Sequence, residues 1–272
     1  MQERPVIGAA LRPRDLPRFL PWLAEHDRDL ELQGFDRPEM LGGDWRAAVA
    51  ETRAALDGWS GRLGMHGPYA GLVLDARDPE ARALARRRIL TALEIAEALE
   101  ARQMVLHSPY TLWKHQNLDT LPGARDGMIA RVQDTLAEAV TRAEAAGITL
   151  VIENIEDVDP RDRAHLAHSF GSDAVKLSID TGHADFAHGS TGAPPVDVFV
   201  ALAGADLAHV HLQDADGHAD RHWRLGLGRI RWPAVFSALA ATGAAPHLVL
   251  ELRDVEDILP SHAFLVAEGL AQ

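Results

Sequence analysis

The sequence predicts an α/β protein built as a single (β/α)8 barrel over residues 1–272, and three observations predict it. Eight short apolar runs alternate with helical patterns from end to end. The runs are apolar with little alternation, as strands covered on both faces must be. Six successive runs carry a histidine, aspartate or glutamate at or near the C-terminal end, where a barrel of this class gathers its active site.

The strands read, in order, as Pro5–Leu11, Asp29–Gln33, Arg62–His66, Gln103–His107, Thr149–Asn154, Val175–Asp180, Leu207–Gln213 and His247–Leu252. Stretches rich in Ala, Leu, Arg and Glu lie between them. Pro79–Glu100 opens after Asp78 with proline at its first position, a start signal. Arg125–Ala146 stops at Gly147, a helix terminator. Strands separated by helices pair in parallel through crossovers. The chain's 272 residues suit a barrel, which takes about 250. A doubly wound open sheet competes, but no Gly-rich nucleotide fingerprint follows the first strand.

Composition narrows the chemistry. Cysteine is absent, which removes disulfides and thiolate-held zinc, so a metal must sit on His, Asp or Glu. Fourteen histidines raise the expectation of such a site. The net charge of −13 argues against nucleic acid as partner without removing it, since a basic patch can sit on an acidic protein. No apolar run reaches the roughly 20 residues of a membrane span. No secretory signal is read at the N-terminus, and a cytoplasmic location is expected. A homo-oligomer is compatible with everything read.

The six strand-end residues are His66, His107, Glu153, Asp180, His211 and Glu251. Any one alone has an ordinary structural reading, such as Glu251 paired with Arg253. Six at equivalent positions favour a metal site over an ion-pair network, because carboxylates ending apolar strands are costly unless paired or metal-bound. His183 follows Asp180 by three residues, and Asp220 and His222 form an Asp-x-His in the loop after the seventh strand. Nine candidates exceed the needs of one ion, so one to three divalent ions are expected. His209 is read as facing the helix layer, opposite His211. His26, His115, His165, His168, His188, His218, His247 and His262 are read as surface or packing residues.

The segments HGPY (His66–Tyr69), VLHSPY (Val105–Tyr110), VIEN (Val151–Asn154), SIDTGHA (Ser178–Ala184), HVHLQDADG (His209–Gly217), DRHWRLGLGRIRW (Asp220–Trp232) and LEL (Leu250–Leu252) resemble the xylose isomerase-like TIM-barrel superfamily. That group includes sugar isomerases and epimerases and the apurinic endonuclease IV proteins. The resemblance implies a tetrad of Glu153, Asp180, His211 and Glu251 for zinc, manganese, magnesium or cobalt. In the endonuclease-like members, His66 and His107 would join Glu153 around another zinc, and His183, Asp220 and His222 would hold a third.

Two chemistries follow as expectations. The first is isomerisation or epimerisation of a keto-sugar or related hydroxy-carbonyl compound, with Glu153 and Glu251 passing a proton on and off carbon through a metal-stabilised enediolate. His183 would contact a substrate oxygen, and Trp113 and Phe186 would stack on the sugar. Tyr69 and Arg221 are further candidates at the mouth. The alternative is metal-assisted phosphodiester hydrolysis of the endonuclease IV type. Against it stand Ile155-Glu156 in place of that group's Thr-Ala-Gly run, the small Ala70-Gly71 tip after Tyr69, and a chain whose only lysines are Lys114 and Lys176. A non-catalytic metal-binding barrel is the third reading.

Overall fold

A computed structural model describes residues 4–272. Eight parallel strands close on themselves in sequence order. They are β1 (Gly8–Leu11), β2 (Leu30–Leu32), β3 (Leu63–His66), β4 (Gln103–His107), β5 (Thr149–Glu153), β6 (Val175–Asp180), β7 (Leu207–Leu212) and β8 (His247–Leu250). β8 returns to β1, pairing Gly8 with Val249 and Ala9 with Leu250. All eight expected strands are present, most of them trimmed at one or both ends. The first is the most shortened, because residues 5–7 precede the ladder. Closure excludes the open-sheet alternative and leaves no free edge to protect.

The helices are α1 (Leu16–Ala24), α2 (Pro38–Gly42), α3 (Arg46–Ala55), α4 (Pro79–Leu99), α5 (Leu112–Asn117), α6 (Ala124–Ala146), α7 (Pro160–His168), α8 (Thr181–Thr191), α9 (Val196–Ala203), α10 (Trp232–Thr242) and α11 (Ile258–Ala267). α4 starts where its proline requires, with the Asp78 carboxylate accepting the Glu80 N–H at 2.8 Å. α6 ends on Gly147 at φ 65°, and the Ile148 N–H then reaches back to the Ala143 carbonyl at 2.9 Å.

The core lies between barrel and helices. Leu150, Val151 and Ile152 of β5 are wholly buried, as are Ile89 and Leu93 of α4, Val132 of α6 and Phe199 of α9. Barrel closure needs one close approach: a Cβ at Gly8 would sit 1.8 Å from the Asp29 carbonyl oxygen. The ends of β5 and β6 are clamped by a buried ion pair. Arg163 Nε bonds Asp157 at 3.0 Å, and its Nη1 donates to the carbonyls of Ile152 (2.7 Å) and Ser178. Each of those carbonyls lies within two residues of a candidate ligand, Glu153 or Asp180.

Candidate metal centre at the barrel mouth

Pairing register brings the strand-end residues together. His107 lies opposite Glu153, and Asp180 opposite His211. His211 Nδ1 contacts the Glu153 carboxylate, lies 3.4 Å from Glu251 Oε2 and 4.0 Å from Asp180 Oδ2. Ligand atoms of Glu153, Asp180, His211 and Glu251 all fall within 4.8 Å of one another. Glu153, Asp180 and His211 are buried, whereas the Glu251 side chain keeps 14% exposure. Asp180 also caps α8, accepting the His183 N–H at 2.7 Å, and so ties the strand end to the helix that carries His183.

Two further groups flank this tetrad. His66, His107 and Glu153 meet on one side, and His183, Asp220 and His222 on the other. His107 Nε2 lies 3.4 Å from Glu153 Oε2. His183 donates its Nδ1 proton to the Asn154 carbonyl at 2.9 Å and turns Nε2 toward Asp220, 3.5 Å away. His222 sits 3.1 Å from Asp220 Oδ1 and holds a positive φ of 49°, uncommon outside glycine. Its N–H bonds Gln213 Oε1 at 2.6 Å and its ring lies 3.1 Å from the Glu251 carbonyl, which over-determines the strained geometry.

The electrostatics are those of an anionic cluster short of positive charge. Burial alone would lower His211, but Glu251, Glu31 and Glu153 outweigh it and hold its pKa well above the usual range. Burial opposes ionisation of Glu153, yet His211, with His107 and His183, keeps its carboxyl far below the usual range. Burial raises Glu251. His222 is pushed up to about 9, the cost of burial being exceeded by Asp220, Glu251 and Asp180. Burial and the neighbouring histidines bring His107 down to about 3 despite Glu153, leaving its ring neutral. The donors are carboxylate oxygen and imidazole nitrogen only, a set suited to zinc, manganese, cobalt or magnesium. Three carboxylates facing one imidazole, two of them buried, fit a divalent cation better than they fit each other.

Beside the tetrad a cavity of about 380 Å³ opens to solvent, lined by His66, Tyr69, His222, Glu251 and Gln33 and by three arginines, Arg12, Arg37 and Arg253. Its size is that of a small-molecule site. Tyr69 stacks on His107 with ring centroids 4.5 Å apart. Trp113 is 66% exposed on α5 and does not line this cavity. Phe186 is half-buried on α8, and Arg221 is paired with Asp216 at 2.8 Å; neither lines it.

One expectation is corrected. His209 does not face the helix layer: side chains two apart share a strand face, so His209 points into the barrel one layer beneath His211. Its ring centroid is 4.5 Å from that of His211. Sequence reasoning also passed over four residues that hold the site. Glu31 bonds His211 Nε2 at 3.0–3.1 Å. Gln33 Nε2 donates to Glu251 Oε1 at 2.5 Å. Gln213 Nε2 donates to Asp180 and to Asp220 at 3.1 Å. Asn154 braces the Asp180 backbone in both directions, at 2.9 and 3.0 Å. The available signal was polar residues at alternate positions in otherwise buried strands: Glu31 and Gln33, then His209, His211 and Gln213.

Comparison with known proteins points one way. A family model described as xylose isomerase-like TIM barrel matches residues 28–270. A D-tagatose 3-epimerase-like protein of known structure superposes with a TM-score of 0.78 at 21% identity, covering 97% of this chain and 98% of its own. A Thermus thermophilus protein, its crystals soaked with ZnCl2, gives a TM-score of 0.73 at 28% identity over 96% of each chain. An uncharacterized protein of Methanocaldococcus jannaschii is 24% identical over 96% of this chain and 87% of that one.

Proposed function

The chain belongs to the xylose isomerase-like TIM-barrel family, and from that premise we propose that it is a divalent-metal-dependent isomerase or epimerase of a keto-sugar or related hydroxy-carbonyl compound. One observation carries the reading. Two glutamates, Glu153 at the end of β5 and Glu251 just beyond β8, approach the same imidazole nitrogen beside a cavity of sugar size.

Glu153, Asp180, His211 and Glu251 would hold the cation. When bound, it supplies Lewis-acid polarisation of the substrate's carbonyl and neighbouring hydroxyl oxygens. The chain's own residues do the rest. One glutamate takes the proton from the carbon beside the carbonyl as the C–H electron pair moves toward the carbonyl oxygen. The other returns a proton, and return to the opposite face inverts that carbon. His183, its Nδ1 committed to Asn154 and its Nε2 3.5 Å from Asp220, would turn that Nε2 to a substrate oxygen. Tyr69 and His66 line one side of the cavity.

The test is incubation with a panel of ketoses in D2O. Solvent deuterium on carbon, lost on chelation, is expected; no exchange with any ketose by the metal-loaded protein counts against the reading. A second reading, phosphodiester hydrolysis, is favoured by the two histidine–carboxylate groups beside the tetrad, which would suit a cluster of ions. Nicking of DNA bearing an abasic site without sugar exchange would put it first.

A further inference from the structure

Glu31 is a buried carboxylate that the proposed chemistry leaves without a role. It sits inside the barrel on β2 at 2% exposure, and both its oxygens lie 3.0–3.1 Å from His211 Nε2. The opposite ring nitrogen, Nδ1, is the one that faces Glu153, Asp180 and Glu251. Beneath Glu31 lies His209, with Nε2 3.1 Å from Glu31 Oε2. His209 Nδ1 is 2.8 Å from the Ser178 hydroxyl. Ser178, His209 and His211 are at most 1% exposed. A continuous polar column thus runs down the barrel axis, from Ser178 through His209 and Glu31 to His211.

A bare carboxylate in such a place is costly, so its partners must return something for it. We infer that Glu31 is a positioning residue for the metal centre. It accepts the Nε2 proton of His211, and thereby fixes the tautomer in which Nδ1 offers its lone pair to the cation. A carboxylate on the far nitrogen of a ligating histidine also raises the basicity of the ligating one and locks the ring plane. His209, with its Nδ1 taken up by Ser178, presents Nε2 to Glu31 and holds the carboxylate against His211. The inference rests on the tetrad binding a cation, as proposed above.

The test uses the full chain, stripped with chelator and titrated with Mn2+, free ion being followed by electron paramagnetic resonance. Glu31→Gln keeps the shape and removes the charge; it is expected to weaken Mn2+ binding about 10–100-fold. It should also shift the visible bands of the Co2+-loaded protein. His209→Gln and Ser178→Ala should weaken Mn2+ binding in smaller steps, in that order. A purely structural role would lower the melting temperature of the metal-free protein and leave affinity and cobalt spectrum unchanged. Folded Glu31→Gln with wild-type affinity and spectrum overturns the inference. Should that variant not fold, wild-type affinity in both His209→Gln and Ser178→Ala does so. A wild-type chain that binds neither Mn2+ nor Co2+ removes the metal centre itself, a distinct failure.

Discussion

Glu153 and Glu251 both approach His211 Nδ1, yet their environments differ. Glu153 is sealed among histidines, whereas Glu251 opens on the cavity and is held by Gln33. Glu153→Gln and Glu251→Gln are each expected to lower kcat for deuterium exchange by about 10²–10⁴-fold. At least one should also weaken metal binding, read by elemental analysis; normal activity and metal content in both would refute the assignment. Away from the ligands, buried His247 titrates abnormally. Burial first, then Arg62 and His209, bring its pKa to about 3. An unfolded histidine titrates near 6.5. The unfolded chain therefore binds a proton that the folded chain refuses, and stability falls as pH drops from 6.5 toward 3. Between pH 7 and pH 5 this costs about 2 kcal/mol. His247→Asn should lose that much less over the same interval in urea unfolding. Equal losses in the two proteins would show that His247 is not the group responsible.

At the scale of elements, the site depends on strand ends being held at fixed height. The pair Arg163–Asp157 does this for β5 and β6 through the Ile152 and Ser178 carbonyls. Arg163→Met leaves Asp157 buried and unpaired and should cost about 3–5 kcal/mol in urea unfolding. Asp157→Leu added to it should restore part of that loss, whereas additive losses would deny the coupling. Strands and their polar ends were legible because period and apolar content are local properties. The face of His209 was also legible: residues 209, 211 and 213 share one side by strand geometry alone. Glu31 was harder, since a glutamate midway along the short strand read at Asp29–Gln33 reads equally as an exposed charge until its partners on β7 are known.

At the scale of the whole molecule, the proposed cation is expected to stabilise the fold because only the folded barrel assembles its ligands. Mn2+ at about 100 times its dissociation constant should add about 2.7 kcal/mol. For a chain of this size that corresponds to a rise in Tm of about 5–10 °C, reversed by chelator. An unchanged Tm would argue against a cation bridging four strands. No helix among the described residues is long and apolar enough to cross a membrane.

The sequence by itself determined the strand count, their parallel order and the closed barrel, because hydrophobic period and helix punctuation are written in neighbouring residues. It also placed nine candidate ligands at strand ends and in the loops just beyond them, and the structure gathers those nine into three adjoining groups. Only the tertiary structure decided which atoms face which. Nδ1 of His211 turns to Glu153 and Glu251 while Nε2 turns to Glu31, 180 positions away in sequence, and Arg221 is spent on Asp216. Those outcomes depend on register between distant strands and on competition for partners inside a closed barrel, and neither is encoded in any single stretch of chain.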